Sequence, residues 1–241
     1  MASGRSGNGD QGETALVAKE DHRVRVGREK RERMRSKLFH SVMVVCSGNP
    51  VKSPAVIDDV VRHADVARGT FYKYFDSLEQ AIEQLALVLA NEMTGAIGGV
   101  YEALEEPVLR TATGFQTFLL RGLMNKDWGR FFVHIGPLGE DGNLIANAIR
   151  NDLRRGIDGG HYRIPSIDIA TDLLMGAKIE AIRRIIGGTV GLDYIHRMTE
   201  MVLVSFGVAQ DKAAAAVRTA YDRLATYGPD QLDWWRPINE L

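Results

Sequence analysis

Apolar residues recur along this chain at intervals of three and four, the spacing that places them on one face of an α-helix. The pattern predicts a helix at about 28–47, a second from Ser53-Pro54, a short one at 68–74 and a longer one from Ser77. It predicts six further helices, at about 108–126, 127–135, 142–155, 166–187, 191–207 and 210–227. No stretch alternates apolar and polar residues for long enough to predict a strand. The fold class is therefore all-α, with a small N-terminal helix-turn-helix unit and a larger C-terminal helical bundle.

Basic side chains concentrate near the N-terminus. Residues 23–37, RVRVGREKRERMRSK, hold eight basic and two acidic side chains, a net charge of +6, whereas the whole 241-residue chain carries −1. A basic segment on an acidic body is typical of nucleic-acid binding. The alternative is a solvated helical face on which glutamates pair with arginines. Residues 1–22, rich in glycine, serine and charge, are expected to be disordered.

Several classes of protein are disfavoured. The single cysteine, Cys46, excludes a disulfide framework and a cysteine-rich metal site, and it favours a reducing, cytoplasmic location. No apolar stretch has the length of a signal peptide or a membrane span, so no membrane partner is expected. His161 and His196 lack metal-type spacing, and no nucleophile–base pair or phosphate loop is present. We therefore expect no catalytic residues, no metal and no cofactor.

The segment ARGTFYKYFDS, residues 67–77, has two faces if it is helical. At 100° per residue, Phe71 and Phe75 point the same way, toward a core. The opposite face and its edges carry one glycine and five residues with hydrogen-bond donors: Arg68, Gly69, Thr70, Tyr72, Lys73 and Tyr74. Glycine allows a partner to approach the backbone closely, and the hydrogen-bond donors suit phosphate groups.

The preceding helix, a short turn and this second helix have the layout of a helix-turn-helix, whose second helix enters the major groove of DNA. The alternative is an ordinary corner between two helices with aromatic residues at its core edge. The donors on 68–74 and the basic segment 23–37 favour DNA binding.

The stretch VIDDVVRHADVARGTFYKYFDSLEQAI, residues 56–82, resembles the DNA-binding signature of the tetracycline-repressor (TetR) family. The likeness in motif covers about 38–90, and beyond it only length and helical character agree. The matching positions are Ala64, Val66, Arg68, Gly69, Thr70, Phe71, Tyr72, Tyr74, Phe75, Ser77 and Glu79.

The resemblance implies a homodimeric transcription regulator, usually a repressor. It implies binding to double-stranded DNA at a pseudo-palindromic operator through Arg68–Tyr74, with Ser53 in place of the family's usual threonine. It also implies that the divergent C-terminal bundle holds a small apolar or amphipathic ligand.

Three further positions depart from the family pattern. Asp65 stands where glycine is usual in the turn, and aspartate tolerates the left-handed conformation better than most residues. Ala67 replaces a serine, which removes a helix cap and a phosphate contact. Leu78 replaces a lysine, which removes a second contact. The basic arm 23–37 is expected to restore phosphate affinity.

We expect three regions: a disordered, basic and glycine-rich extension (1–27), a helix-turn-helix domain (28–77), and a helical domain for ligand binding and dimerisation (78–241). Aromatic residues, methionines and one histidine of the last region are candidates to line a ligand cavity, with ordinary core as the alternative. They are Tyr101, Phe115, Phe118, Met124, Trp128, Phe131, Phe132, His134 and Met175.

The predicted helices 166–187 and 191–207 are apolar on more than one face. A helix of this kind buries more than one face, and packing both against a two-fold mate makes an intermolecular four-helix bundle. Glutamate at Leu174 or Val202 is then expected to split the dimer. The alternative is full burial within one chain.

Two other hypotheses stay open. One is an enzyme or carrier with a helical ligand pocket. The other is a TetR-like protein that no longer binds DNA and acts through protein partners. Binding to random duplex DNA at low salt separates the DNA-binding regulator from both.

Overall fold

The computed structural model describes residues 10–48, 55–101, 104–135 and 144–237, and every regular element in these ranges is a helix. The predicted all-α class is confirmed. None of these helices is long and apolar enough to cross a lipid bilayer. The helices are α1 (Asp10–Cys46), α2 (Ile57–His63), α3 (Arg68–Phe71), α4 (Leu78–Tyr101), α5 (Pro107–Met124), α6 (Lys126–Ile135), α7 (Leu144–Asp158), α8 (Ile167–Ile186), α9 (Leu192–Ser205) and α10 (Gln210–Gln231).

The first helix is longer than the sequence pattern predicts. α1 begins at Asp10 rather than near residue 28, which corrects the expectation that residues 10–27 belong to a disordered extension. The segment 13–26 has no proline or glycine and several strong helix formers, so its polar composition does not prevent helix formation. Among residues 24–46 of α1, whose side chains the structure describes, the buried apolar ones lie in the C-terminal part, at Leu38, Phe39 and Val42.

The second helix begins later than predicted. Val56, in extended conformation (φ −128°, ψ 159°), is its N-cap and forms no side-chain cap. The predicted start at Ser53-Pro54 is therefore wrong, and Ser53 itself lies outside the described residues. The first turn instead contains Asp58 and Asp59, whose carboxylates suit the positive end of the helix dipole.

The turn between α2 and α3 confirms the predicted role of Asp65. Its φ is 49°, in the left-handed region, and no other non-glycine residue of the described chain has a positive φ. α3 is a single turn that ends at Phe71, shorter than the predicted 68–74. Ser77 caps α4, because the amide N–H of Gln80 donates to Ser77 Oγ at 3.1 Å.

The helices α1 to α3 and the start of α4 enclose one apolar core, and we call residues 38–85 the N-terminal unit. The same core includes Phe131 of α6, because α6 packs against α1. The core therefore crosses the boundary predicted after residue 77. Its fully buried members, apart from Phe131, include Leu38, Val42, Val60, Phe71, Phe75 and Ala81.

The bundle consists of α5 to α10, with α5 at its centre in contact with α8, α9 and α10. Two of the polar side chains of α5 that this position buries donate to backbone carbonyls. Thr113 donates to Leu109 O at 2.7 Å, and Gln116 donates through Nε2 to Val217 O at 2.9 Å. These bonds satisfy polar groups that would otherwise destabilise the core.

The predicted dimerisation helices keep apolar side chains in solvent. Ile169 and Leu173 of α8 are 67% and 47% exposed, and Met201 of α9 is 70% exposed. By contrast Leu174 and Val202, where glutamate was expected to split a dimer, are 3% and 5% exposed and belong to the bundle core. Adjacent residues of a helix lie 100° apart, so the outward positions are Leu173 and Met201.

Candidate nucleic-acid interface and ligand cavity

The helix-turn-helix exposes the face that the sequence predicts. Phe71 and Phe75 are 0% and 1% exposed, and their ring centroids lie 5.4 Å apart in the core. Tyr72 and Lys73 are exposed on the opposite side, while Thr70 and Tyr74 are half-buried. The two buried rings thus hold the polar residues outward, and the predicted division into faces is confirmed.

Gly69 has no internal packing reason to be glycine. It is exposed, its φ is not in the left-handed region, and a Cβ built on it meets no atom within 4 Å. A side chain at this position would therefore fit the isolated protein. The absence of one leaves the backbone of α3 open to close approach by an external surface.

Arg68 is engaged by an acidic neighbour that the sequence pattern did not single out. Its guanidinium donates to Asp58 Oδ1 at 2.9 Å and lies 5.8 Å from the Tyr72 ring centroid. The hydrogen bond between Arg68 and Tyr72 contributes most to raising the already high pKa of Arg68, and the negative charge of Asp58 raises this pKa further. The ion pair joins Arg68 of α3 to the first turn of α2, and a phosphate would have to compete with Asp58 for Arg68.

The two departures that remove phosphate contacts, at Ala67 and Leu78, have different structural outcomes. Ala67 is the N-cap of α3 and makes no side-chain cap, as expected from the loss of serine. Leu78 is only 9% exposed and packs in the core of the N-terminal unit. Leucine at this position therefore contributes to folding in place of a phosphate contact.

The basic arm lies on α1 and continues the helix away from the core. Its side chains from Val24 to Arg33 are exposed. Arg25 and Glu29, and Arg28 and Glu32, form ion pairs of 3.9 and 3.8 Å. The alternative of a helical face with glutamate–arginine pairs thus holds for part of the arm, yet the arm still carries a clear excess of positive charge.

A cavity of about 250 Å³ lies between α4, α5, α7 and α8. Its apolar wall includes Phe118, Ile145 and Ile149, and α7 contributes residues that also face solvent, so the cavity opens along that helix. The complete lining among the described residues is Thr94, Arg110, Gly114, Phe118, Ile145, Ala148, Ile149, Asn151, Asp152, Arg155 and Lys178.

Of the predicted ligand residues, Phe118 lines this cavity. Trp128 and Phe132 stack at 5.1 Å between centroids, and Phe118 joins them in a small core between the N-terminal unit and the bundle. Phe131 packs in the N-terminal unit instead, because α6 crosses α1. These aromatic residues therefore serve mainly as core, which was the stated alternative.

The remaining predictions for the ligand site fall elsewhere. Phe115 belongs to the bundle core, and Met124 packs against the same core. His134 is exposed, with Nδ1 2.8 Å from Arg130 O, and Met175 is half-buried on α8. The side chain of Tyr101 lies outside the part that the structure describes.

Lys178 is the polar feature that the sequence pattern missed. It is 3% exposed, lines the cavity, and makes no hydrogen bond or ion pair within the described chain. Its Nζ lies 4.1 Å from the Phe118 ring centroid. Burial lowers the pKa of Lys178 from 10.5 to about 7, against an opposing contribution from Asp152. The signal was present, because Lys178 lies four residues from the buried Leu174 and Ile182 on the same helical stripe.

The other buried charges of the cavity compensate each other. Arg110 donates through Nε to Asp152 Oδ1 at 3.0 Å and through an Nη to Leu104 O at 3.0 Å. Both side chains of this ion pair are only 15% exposed. No group of three or more possible metal ligands occurs in the described ranges.

The bundle matches a family model described as "Tetracyclin repressor-like, C-terminal domain" over residues 106–219. Among solved structures, RolR in complex with resorcinol has a TM-score of 0.57 at 24% identity and covers 78% of this chain and 95% of its own. A γ-butyrolactone receptor, an ArpA-like protein, has a TM-score of 0.60 at 11% identity, with coverage of 81% and 97%.

Bacillus subtilis FadR in complex with stearoyl-CoA has a TM-score of 0.55 at 16% identity and covers 71% of this chain and 96% of its own. No curated protein matches the chain. At these identities the solved structures establish a common fold: an N-terminal helix-turn-helix followed by a helical domain.

Proposed function

We propose that this chain binds duplex DNA as a dimer and leaves the DNA when a small molecule binds. The premise is that the chain belongs to the tetracycline-repressor (TetR) family of transcription regulators. The observation that carries the proposal is the outward face of α3, where exposed Gly69, Tyr72 and Lys73 stand opposite the buried Phe71 and Phe75. We infer that the protein is a repressor that acts on DNA in the cytoplasm and catalyses no reaction.

The polar residues of this face have the chemistry of DNA contacts. Lysine, arginine, threonine and tyrosine donate to phosphate oxygens, and a lysine or arginine also donates to guanine in the major groove. Gly69 permits the close approach that such contacts need. The basic arm adds affinity that is independent of sequence and sensitive to salt.

A two-fold dimer is favoured by the exposed apolar residues of α8 and α9. Ile169, Leu173 and Met201 are large, apolar and at least 47% exposed, and such a patch is usually covered by a partner. One short α3 reads only a few base pairs. Two copies about 34–36 Å apart would read a pseudo-palindromic operator across one turn of DNA.

The cavity is the proposed ligand site. RolR, the γ-butyrolactone receptor and FadR have names that associate this fold with small molecules. Thr94 of α4 lines the cavity, and the first turns of the same helix belong to the apolar core that also contains Phe71 of α3. A ligand that prefers one position of α4 would shift the spacing of the two reading helices.

The direct test uses an operator selected from a random duplex library. Alanine at both Tyr72 and Lys73 should weaken operator binding by about 1–3 kcal/mol for each contact to a base and leave the melting temperature unchanged. Tyr227→Ala, at a tyrosine 45% exposed on α10, is the matched control. Unchanged operator affinity in the double variant would remove α3 as the reading helix.

A second candidate is a TetR-like ligand carrier that has lost DNA binding. It is favoured by the ion pair that already engages Arg68 and by the uncapped start of α3. Random duplex DNA at low salt decides between the two, because a basic arm and a reading face bind it and a carrier does not.

A further inference from the structure

We infer that the cavity selects a small carboxylic acid, whose carboxylate pairs with the Lys178 ammonium while its apolar body lies against Phe118, Ile145 and Ile149. The inference rests on the proposed function in one respect, since it takes this cavity to be the regulatory ligand site. It goes beyond it by naming the acidic group that the site recognises and the residue that recognises it.

The first support is the lack of a partner for Lys178. A buried ammonium is strongly unfavourable unless it is paired and hydrogen-bonded. The described chain offers Lys178 only the face of the Phe118 ring, at 4.1 Å from Nζ. A cation–π contact leaves its three N–H donors without acceptors. An anion in the cavity supplies both the missing charge and the missing acceptors.

The second support is the balance of charge around the cavity. Asp152 is the one acidic side chain of the described lining, and its carboxylate already accepts from Arg110. Arg155 of α7 adds another positive charge on the exposed side of the cavity. The lining therefore holds more positive than negative charge, which favours an anion and disfavours a cationic ligand.

The third support is the size and character of the remaining wall. A cavity of about 150 Å³ is enough to hold benzene, and this one is about 250 Å³. Besides Phe118, Ile145 and Ile149, Gly114 and Ala148 line it, so most of a ligand's body meets hydrocarbon. A short aliphatic or monocyclic aromatic acid fits a cavity of this volume, and its carboxylate pairs with the ammonium of Lys178.

The experiment compares each acid with its primary amide, which has nearly the same shape and no charge. Calorimetry on the full chain uses acetate, butyrate, hexanoate, octanoate, benzoate and phenylacetate with their amides. The best acid should bind about ten- to a hundredfold more tightly than its amide, the usual value of a charged hydrogen bond. The preference should disappear in Lys178→Met and persist in Lys126→Met, the control at an exposed lysine outside the cavity lining.

Proton uptake gives a second readout. At pH 8 an ammonium whose pKa lies near 7 is mostly neutral, so binding a carboxylate should draw about one proton from the buffer. Calorimetry in buffers of different ionisation enthalpy measures this uptake in the wild type. The charged side chains that line the cavity beside Lys178 are Asp152, Arg110 and Arg155.

The inference is overturned if no acid of the panel binds, if an acid and its amide bind equally, or if Lys178→Met keeps the preference. Should that variant fail to fold, the acid–amide ratio and the proton uptake of the wild type decide alone. Random duplex DNA is titrated separately. A protein that binds DNA without preferring acids loses only this inference, whereas one that prefers acids without binding DNA loses the proposed function.

Discussion

The N-terminal unit and the bundle bury different kinds of side chain. The buried polar residues in the described part of the first are Ser41 and Ser47, and each donates to a carbonyl of α1. The described part of the bundle buries threonines and a glutamine and also two charged residues, Arg121 and Lys178. It contains the 250 Å³ cavity as well.

This difference separates two mechanical tasks. A close-packed apolar core has one arrangement and resists deformation, so the N-terminal unit presents a fixed face to a fixed target. A core that contains a cavity and an unpaired charge is less stable on its own, and a bound molecule therefore stabilises it more. In the proposed function, DNA recognition and the response to a ligand thus depend on different packing within one chain.

The largest expected effect comes from disrupting the proposed dimer through the bundle while the N-terminal unit is left unchanged. Glutamate at both Leu173 and Met201 places charges in the exposed apolar surface of α8 and α9, and light scattering should show a monomer. Operator affinity should then fall by at least about a hundredfold, because the second half-site is no longer bound in the same complex. Leu87→Glu, at a leucine 55% exposed on α4, should leave both properties unchanged. A wild-type monomer at micromolar concentration would contradict the dimer.

The next effect concerns the fixed core. Phe71→Ala removes a fully buried ring and should lower the free energy of unfolding of the N-terminal unit by about 3–5 kcal/mol. Urea denaturation followed by circular dichroism measures the change. Tyr72→Ala, next to it and exposed, should have little effect on the same curve. A denaturation midpoint that does not move would mean that the two faces of α3 are reversed.

The third effect tests the unpaired charge of the bundle. Lys178 releases its proton near pH 7 in the folded protein and near 10.5 when unfolded, so the unfolded chain binds more protons between these values. The free energy of unfolding contributed by this group therefore rises with pH in that window and is lowest below pH 7. Relative to Lys178→Met, the wild type should gain about 1 kcal/mol from pH 7.5 to 8.5.

Urea denaturation of both proteins at the two pH values checks this difference. The subtraction cancels other titrating groups, such as Tyr162 and Cys46, that are common to both chains. Parallel pH profiles would show that Lys178 keeps an ordinary pKa and that its environment is wetter than the packing indicates.

The smallest effect distinguishes a functional glycine from a structural one. Gly69→Ala meets no atom within 4 Å, and alanine is favoured over glycine in a helix by about 0.5–1 kcal/mol. The variant should be slightly more stable and yet bind the operator more weakly, because the new methyl group faces the DNA. Thermal melting and operator titration together check the opposite signs. Loss of stability would mean that α3 needs glycine for its own fold.

The sequence predicts the reading face well because the information is local. Phe71 and Phe75 are separated by about one turn, so helical periodicity alone places them on one side and the polar residues on the other. The turn at Asp65 is likewise encoded in a few neighbouring residues. The start of α1 was missed because an average over composition does not weigh the helix propensity of individual residues.

The cavity could not be located in the same way. Its walls come from four helices that are distant in sequence, so it depends on how those helices pack and not on any single periodicity. Apolar candidates such as Phe115 and Trp128 look the same in a sequence whether they fill a core or line a cavity. Lys178 was the exception, because a lysine on an otherwise apolar stripe conflicts with its surroundings.

Phe131 has a consequence for how such proteins can be recombined. Its ring completes the core of the N-terminal unit although it belongs to α6. A chimera joined at residue 77 would therefore transplant a DNA-binding head without one of its own core side chains and leave a hole there. Grafts that retain α6, or that supply an aromatic residue at the equivalent place, keep this head intact. The boundary between the DNA-binding unit and the ligand-binding domain is thus a packed surface to which both residues 38–85 and α6 contribute. A fusion at any single position in the sequence therefore does not follow this boundary.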